Sequence, residues 1–490
     1  MCLLRLTRTT ANTSLCCGSL LPTANPSKAS KFGTKNKNKN ITLPAGLKPA
    51  GIFFATTTAE PYVKIPPAMR IVNKIRNTDV KVVAPPSKAH TLRAIIISSL
   101  AQGKSIIRNP LFGQDQLNVI ESLKKLGVHI DKTIDTITVD GTGGKLEPVG
   151  DELNVGESGV GMNFLAAAAC LSEKPVTLTG TGRITERPIG EVVEGLRQLG
   201  CKIEYLNKDG FPPIKVYGGG IKGGIARMKG QKTSQYFSSV AISSPYALTP
   251  VLLECVDDMT EQPYFDITLQ MMQEFGVQAQ NHNYKQVLIP NGKKYSAKDI
   301  TIEGDYSSAS FFFLAGAICK SKVTVAGLNH DTKQGDKVFV DLMKKMGCDI
   351  TLTTDGVCIE GKPLNAIKQD MSNLPDLVPP LAIAAAFAKG ASQLTNIGHL
   401  RLKESDRLLV MASQLNKMGV NATCDQSSLV IEGSQNIHGA DIDPHNDHRI
   451  AMSFAVAGLV TGNQTIQNEM CVAKSFPDFW QRLEVFTKSR

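Results

Sequence analysis

Leu123-Lys124-Lys125-Leu126-Gly127-Val128 is a phrase that this chain repeats. It returns as Leu196-Arg197-Gln198-Leu199-Gly200-Cys201, Met272-Gln273-Glu274-Phe275-Gly276-Val277, Met343-Lys344-Lys345-Met346-Gly347-Cys348 and Leu415-Asn416-Lys417-Met418-Gly419-Val420. Each time, apolar residues three apart close the last turn of an amphipathic helix, a glycine supplies a left-handed cap, and a strand-like run follows. The glycines stand 71 to 76 residues apart. One match would mean little, but five at near-constant spacing mark an internal duplication. A sixth helix is expected at 479–485, although no glycine ends it.

Between these phrases lie strand-like runs with glycine-rich turns, such as 213–218 and 287–290, and apolar helices such as 162–171 and 311–319. Units of mixed strand and helix this long are too large for a solenoid. Three per domain predict an α/β protein with two similar domains and a ligand cleft between them. The units ended by Gly127, Gly200 and Gly276 should share one domain, and the last three the other.

The chain has 490 residues, too many for one ordinary core, with 42% apolar and 20% charged residues. No run of about 18 apolar residues offers a membrane helix. The net charge of +10 is concentrated at one end: residues 1–59 hold eight Lys or Arg and no Asp or Glu. Beyond them 46 basic residues face 44 acidic ones, which gives no bulk electrostatic case for nucleic acid. The basic segment, rich in Ser and Thr, reads as an organellar transit peptide, with the plastid stroma as the expected address and mitochondrion or cytosol as alternatives. Among the 11 cysteines no Cys-x-x-Cys pair and no His at ligand spacing occurs, so reduced thiols and no metal site are expected. Cys201 and Cys348 read as small buried hydrophobes. Gly218-Gly219-Gly220-Ile221-Lys222-Gly223 has a dinucleotide-loop spacing, but no long helix pattern follows it and the next acid, Glu254, is too distant.

Chemistry is carried by short polar clusters. Leu402-Lys403-Glu404-Ser405-Asp406-Arg407-Leu408 packs two bases and three acid or hydroxyl residues together; read as a helix, Lys403 and Arg407 share a face. Others are Pro85-Pro86-Ser87-Lys88, Glu186-Arg187-Pro188, Thr233-Ser234-Gln235, Pro375-Asp376, Asn446-Asp447-His448-Arg449 and Ala473-Lys474-Ser475-Phe476-Pro477. Several fixed cations in modest surroundings suit a small phosphorylated, carboxylated ligand. Asp376, ahead of an apolar helix, also reads as its N-cap.

In their order and spacing these motifs resemble the 5-enolpyruvylshikimate-3-phosphate synthase family from about residue 71 to the end. The resemblance implies two domains, each of three βαβαββ-type repeats forming an inside-out α/β barrel, with the active site in the interdomain cleft. It implies residues 67–86 plus 304–490 as one domain, 87–303 as the other, and 1–66 as the leader. The implied reaction moves the carboxyvinyl group of phosphoenolpyruvate to the 5-hydroxyl of shikimate 3-phosphate and releases phosphate. It belongs to aromatic amino acid synthesis, needs no cofactor or metal, and is carried out by a monomer.

By the same resemblance Lys88, Gly159, Arg187, Gln235, Arg407, Arg449 and Lys474 bind phosphoenolpyruvate. Arg93, Thr233, Ser234, Gln235, Tyr264, Asp376 and Lys403 bind shikimate 3-phosphate, with Thr233 and Ser234 serving its phosphate and Arg93 its carboxylate. Asp376, Glu404 and Lys88 move protons, and Asp115 steadies the basic network. The chain departs from the family pattern at Ala89, Glu157, Val160, Asn163 and Glu261. Ala89 and Val160 lose hydroxyls, Asn163 replaces an Arg, Glu157 brings a carboxylate near the donor, and Glu261 stands where Ser is common. The five retained cations argue for a working site, because unpaired buried charges destabilise a fold. The departures leave three readings open: the shikimate 3-phosphate reaction, the same donor with a different cyclic alcohol, or a non-catalytic ligand binder.

Overall fold

The computed structural model describes residues 68–76 and 79–488. The leader expected over 1–66 lies outside the described residues, as does any test of its address. The repeated phrase closes helices Gln114–Lys125, Gly190–Gln198, Gln262–Glu274, Val338–Met346 and Arg407–Lys417. All five glycines have positive φ, from 81° at Gly419 to 118° at Gly347. In each, the residue after the glycine donates its N–H back to the carbonyl five positions earlier, as in Val128 to Leu123 at 3.0 Å and Cys348 to Met343 at 3.0 Å. This is the Schellman closure, and it hands an apolar residue directly to the next strand.

Five of the six sheets have four strands and the same wiring. Glu152–Asn154 runs parallel to Val176–Thr179, which pairs antiparallel with Ile214–Val216, and Ile203–Tyr205 lies on the far edge. The sixth sheet has three strands. Arg70–Val72, from the start of the described chain, pairs antiparallel with Gln464–Ile466 in the place that a third strand holds elsewhere. The sixth helix is a correction to the sequence reading. It is broken into Phe479–Leu483 and Val485–Lys488, and no left-handed glycine or strand follows.

Buried apolar residues form two clusters, one from Leu92 to Ile302 and the other from Val72 to Ala84 together with Tyr306 to Phe486. The chain crosses between them twice. The crossings run side by side, with Ser87 N–H donating to the Glu303 carbonyl and Asp305 N–H to the Pro85 carbonyl, both at 2.8 Å. In each unit a second helix, apolar nearly all round, fills the centre of its lobe; every residue of Tyr306–Ile318 is buried. These inner helices are Lys88–Leu100, Gly159–Ala169, Gln235–Ser243, Tyr306–Ile318, Val378–Ala386 and His448–Thr461. The described cysteines are all free, and among the described residues no helix is long and apolar enough to cross a membrane.

Candidate active site

All six inner helices start at one cavity between the two cores. Lys88, Gly159, Gln235, Ser307, Asp376 and His448, at or beside their first residues, line it together. A helix N-terminus leaves N–H groups without intrahelical partners and carries a partial positive charge. The duplication therefore aims six such ends at one place suited to anions. Ser87, Ser158, Asp305 and Asp447 cap four of these helices through their side chains.

The expected cations converge here from both lobes. Lys88 lies 2.6 Å from Asp115, which also faces Lys474 at 3.8 Å. Lys474 stands at the rim, donating to the Glu157 carbonyl at 2.7 Å and facing Glu404 at 3.6 Å. Arg187 approaches Glu404 from the other lobe at 3.5 Å. Arg407, 1% exposed, meets Asp447 at 2.8 Å, Glu404 at 2.9 Å and Asp376 at 3.0 Å. Arg449 meets Asp376 at 2.7 Å and donates to Ser307 Oγ at 2.6 Å. Among the described residues no cluster of His, Cys, Asp or Glu could hold a metal ion.

Both expected acid–base carboxylates are ionised by this company. Burial opposes the charge of Glu404, but Lys474, Arg407 and Arg187 outweigh it and hold the carboxyl well below its usual range. Burial likewise opposes the charge of Asp376, and Arg449 and Arg407 outweigh it. Asp376 is not the N-cap expected from its place before a helix. It lies in the short turn Pro375–Leu377, while Leu377 precedes helix Val378–Ala386 without a side-chain cap. Two buried arginines draw its carboxylate into the cavity instead. The 402–408 run is likewise no single helix: Asp406 caps a helix that begins at Arg407, and Lys403 to Asp406 bend across the cleft. Arg183 holds that bend from the other lobe through the carbonyls of Lys403 (3.0 Å) and Arg401 (2.9 Å).

The acceptor side differs from its expectation. Tyr264 Oη contacts Asp376 at 3.0 Å and Asp336 at 2.8 Å. Arg93 is buried against Phe164 and donates to Thr268 Oγ1, the Ala89 carbonyl and the Tyr264 carbonyl. That leaves two of its five N–H hydrogens for a ligand. Burial pushes its guanidinium down to about 10, still charged at neutral pH. Thr233 and Ser234 do not present open hydroxyl donors, and Lys403 has one of its three N–H groups engaged. Thr233 Oγ1 donates to Glu261 Oε2 at 2.6 Å, Ser234 Oγ to the Glu261 carbonyl at 2.9 Å, and the Lys403 ammonium pairs with Glu261 Oε1. Glu261 itself has φ 60° and ψ 31°, a left-handed conformation that costs a non-glycine residue roughly 1–2 kcal/mol.

Other departures sort by position. Ala89 and Val160 line the cavity without a hydroxyl. Asn163 donates to the Gly159 carbonyl at 2.9 Å and to Gln235 Oε1 at 3.2 Å, tethering Gln235. Glu157 does not line the cavity itself; its carboxylate accepts from Asn446 at 2.7 Å at the rim, within electrostatic reach of Lys474 and Arg187. Sequence reasoning assigned no role to Asp336, Asp447, His448, His399 or Arg183. Asp447 and His448 lay inside a quoted cluster, but nothing in the sequence shows that Asp447 supports Arg407 or that Asp336 reaches Tyr264. Burial first, then Asp376, pushes the Asp336 carboxyl up to about 7. Burial pushes His399 down to about 4, so its ring is neutral at pH 7.

Comparison with known proteins agrees with this geometry. The family model described as EPSP synthase (3-phosphoshikimate 1-carboxyvinyltransferase) matches residues 72–483. The chain is 43% identical over 407 residues to the 3-phosphoshikimate 1-carboxyvinyltransferase of Methanoregula boonei, covering 83% of this chain and 96% of that one. To the protein of the same name from Salmonella arizonae it is 38% identical over 413 residues, covering 84% and 96%. The structure of EPSP synthase from Acinetobacter baumannii superposes with a TM-score of 0.72 at 27% identity, over 85% of this chain and 97% of that one. With two cores of repeated units closing on one cation-lined cavity, the chain belongs to the EPSP synthase family.

Proposed function

We propose that this protein transfers the enolpyruvyl group of phosphoenolpyruvate to the 5-hydroxyl of shikimate 3-phosphate and releases phosphate. The observation that carries this reading is the meeting of Lys88, Arg187, Arg407 and Arg449 with Asp376 and Glu404 at one cavity, with Lys474 at its rim facing Glu404. A donor with a phosphate and a carboxylate requires such a set of cations from two sides, and lobe closure would deliver it. The acceptor oxygen bonds to C2 of the donor as the methylene carbon gains a proton. The bond from C2 to the phosphate oxygen then breaks as the newly formed methyl carbon gives up a proton, so phosphate leaves and the product keeps its double bond.

Asp376 takes the hydroxyl proton; its ionised state between two arginines and its contact with Tyr264 Oη at 3.0 Å support that role. Glu404 shares its cations with the incoming donor. Phosphoenolpyruvate brings negative charge beside it and weakens its hold on Arg187 and Lys474, so its pKa rises toward a value suited to a proton donor. Lys88 stands opposite, beside Asp115, as the second proton carrier.

The test is phosphate release with both substrates present. Release that needs both and disappears in Lys88→Ala supports the reading; release from phosphoenolpyruvate alone, or none with both, rejects it. The family resemblance supports action as a monomer, checked by light scattering. The acid-free basic segment 1–59 supports plastid targeting, checked by imaging a fluorescent fusion of that segment.

A further inference from the structure

Glu261 lies in the wall of the cavity, 2% exposed, and faces the donors that the family resemblance assigns to the acceptor's phosphate. Its two carboxylate oxygens take the Thr233 hydroxyl and the Lys403 ammonium, and its carbonyl takes the Ser234 hydroxyl. His399 Nε2 points at the same carboxylate from 3.8 Å, is buried, and has no hydrogen-bond partner. The cluster is built for an anion and already holds one that belongs to the chain. Burial opposes its charge, but Lys403 and the hydrogen bonds from Lys403 and Thr233 outweigh it and hold the carboxyl below the usual range. With His399 neutral, the ammonium of Lys403 is the principal partner. A dianionic phosphate placed on these donors would meet an ionised carboxylate within hydrogen-bond range, a like-charge contact that costs affinity.

We propose that Glu261 sets acceptor specificity by occupying the acceptor's phosphate subsite from within the chain. Both hydroxyls and one N–H of Lys403 are engaged without a phosphate, so a phosphorylated acceptor must displace Glu261 from the hydroxyls, while a carboxylated cyclic alcohol with a plain hydroxyl at that position need not. This rests on the transfer reading for the identity of the acceptor ring, but not for the electrostatics of the subsite.

Binding of shikimate 3-phosphate and of unphosphorylated shikimate, measured by calorimetry on wild type, Glu261→Ser and Glu261→Gln, tests it. In wild type the phosphorylated acceptor should be preferred by less than about a hundredfold; a larger preference overturns the proposal. Glu261→Ser should lower the Kd for shikimate 3-phosphate at least about tenfold and leave that for shikimate nearly unchanged. An unchanged or raised Kd for shikimate 3-phosphate in both variants, with melting like the parent's, overturns it. If removing the partner of Lys403 unfolds both variants, the wild-type preference decides. Phosphate release from phosphoenolpyruvate in the same samples separates the two readings. Turnover without tighter binding in the variants removes Glu261's role alone. Tighter binding with no release from either acceptor removes the transfer reading alone.

Discussion

Around Arg407 three carboxylates converge on one guanidinium, whereas around Glu261 one carboxylate collects an ammonium, a hydroxyl and the edge of a buried imidazole. Both walls bury charge, and both keep it by pairing. They differ in what an arriving anion would find. On the Arg407 wall, Arg187, Arg449 and Lys474 surround the carboxylates, so a donor can share cations already in place. On the Glu261 wall the donors are engaged by a side chain of the same charge as the expected ligand. One wall is charged for exchange with a ligand, and on the other both hydroxyls are already taken.

Arg407→Met attacks the first wall at its centre. It leaves Asp376, Glu404 and Asp447 without their shared partner, and should cost about 3–5 kcal/mol in denaturant unfolding along with all turnover. Lys403→Met leaves a single carboxylate that keeps the Thr233 hydroxyl and can take up a proton. It should cost distinctly less, and equal losses would erase the contrast between the walls. Glu404→Gln keeps the shape but removes the proton carrier. We expect kcat to fall by about 100- to 10,000-fold while binding of phosphoenolpyruvate holds or tightens, because Arg187 and Lys474 lose a competing partner. Weaker binding would mean that Glu404 organises the cations more than it competes for them.

Asp336 sharpens the comparison through pH. Its folded-state pKa of about 7 lies above the ordinary carboxyl value of 3.8, so the folded chain holds this proton more tightly than the unfolded one. The resulting stability is full below the ordinary value and is lost as pH rises toward 7. Asp336→Asn should flatten that slope, by an amount on the order of 4 kcal/mol across the window. An unaltered slope would place the titration elsewhere. At Gly159 an added Cβ would stand 2.6 Å from the Arg187 guanidinium, the movable end of a long side chain. Gly159→Ala should therefore melt like the parent yet raise the KM for phosphoenolpyruvate about tenfold by shifting Arg187. A loss of stability with unchanged KM would show that the helix start, not the arginine, gives way.

Much of this architecture could be read in order along the chain. The five glycine-ended phrases are local: a helix, its left-handed cap and the following strand lie within a few residues, so composition and spacing announce them. Arg187, Arg407, Arg449 and Lys474 were legible through their motifs. What they touch was not. Asp376 has the sequence surroundings of a cap and becomes a partner of two arginines because helices from distant units bring those arginines to it. Glu157 was expected near the donor, but its hydrogen bond from Asn446 of the other lobe was not legible.

The chain by itself determined that there would be repeated α/β units, two cores and a set of cations that only an anionic ligand explains, since periodicity and residue chemistry act over short stretches. Only the tertiary structure decided that six inner helices would start at one cavity, that Arg70–Val72 would complete the last sheet, and that Glu261 would lie on the hydroxyls expected to hold a phosphate and on the ammonium expected to contact the acceptor. Those facts join residues separated by up to hundreds of positions. The energy that joins them comes from burying apolar faces and pairing charges in three dimensions, which no local pattern records.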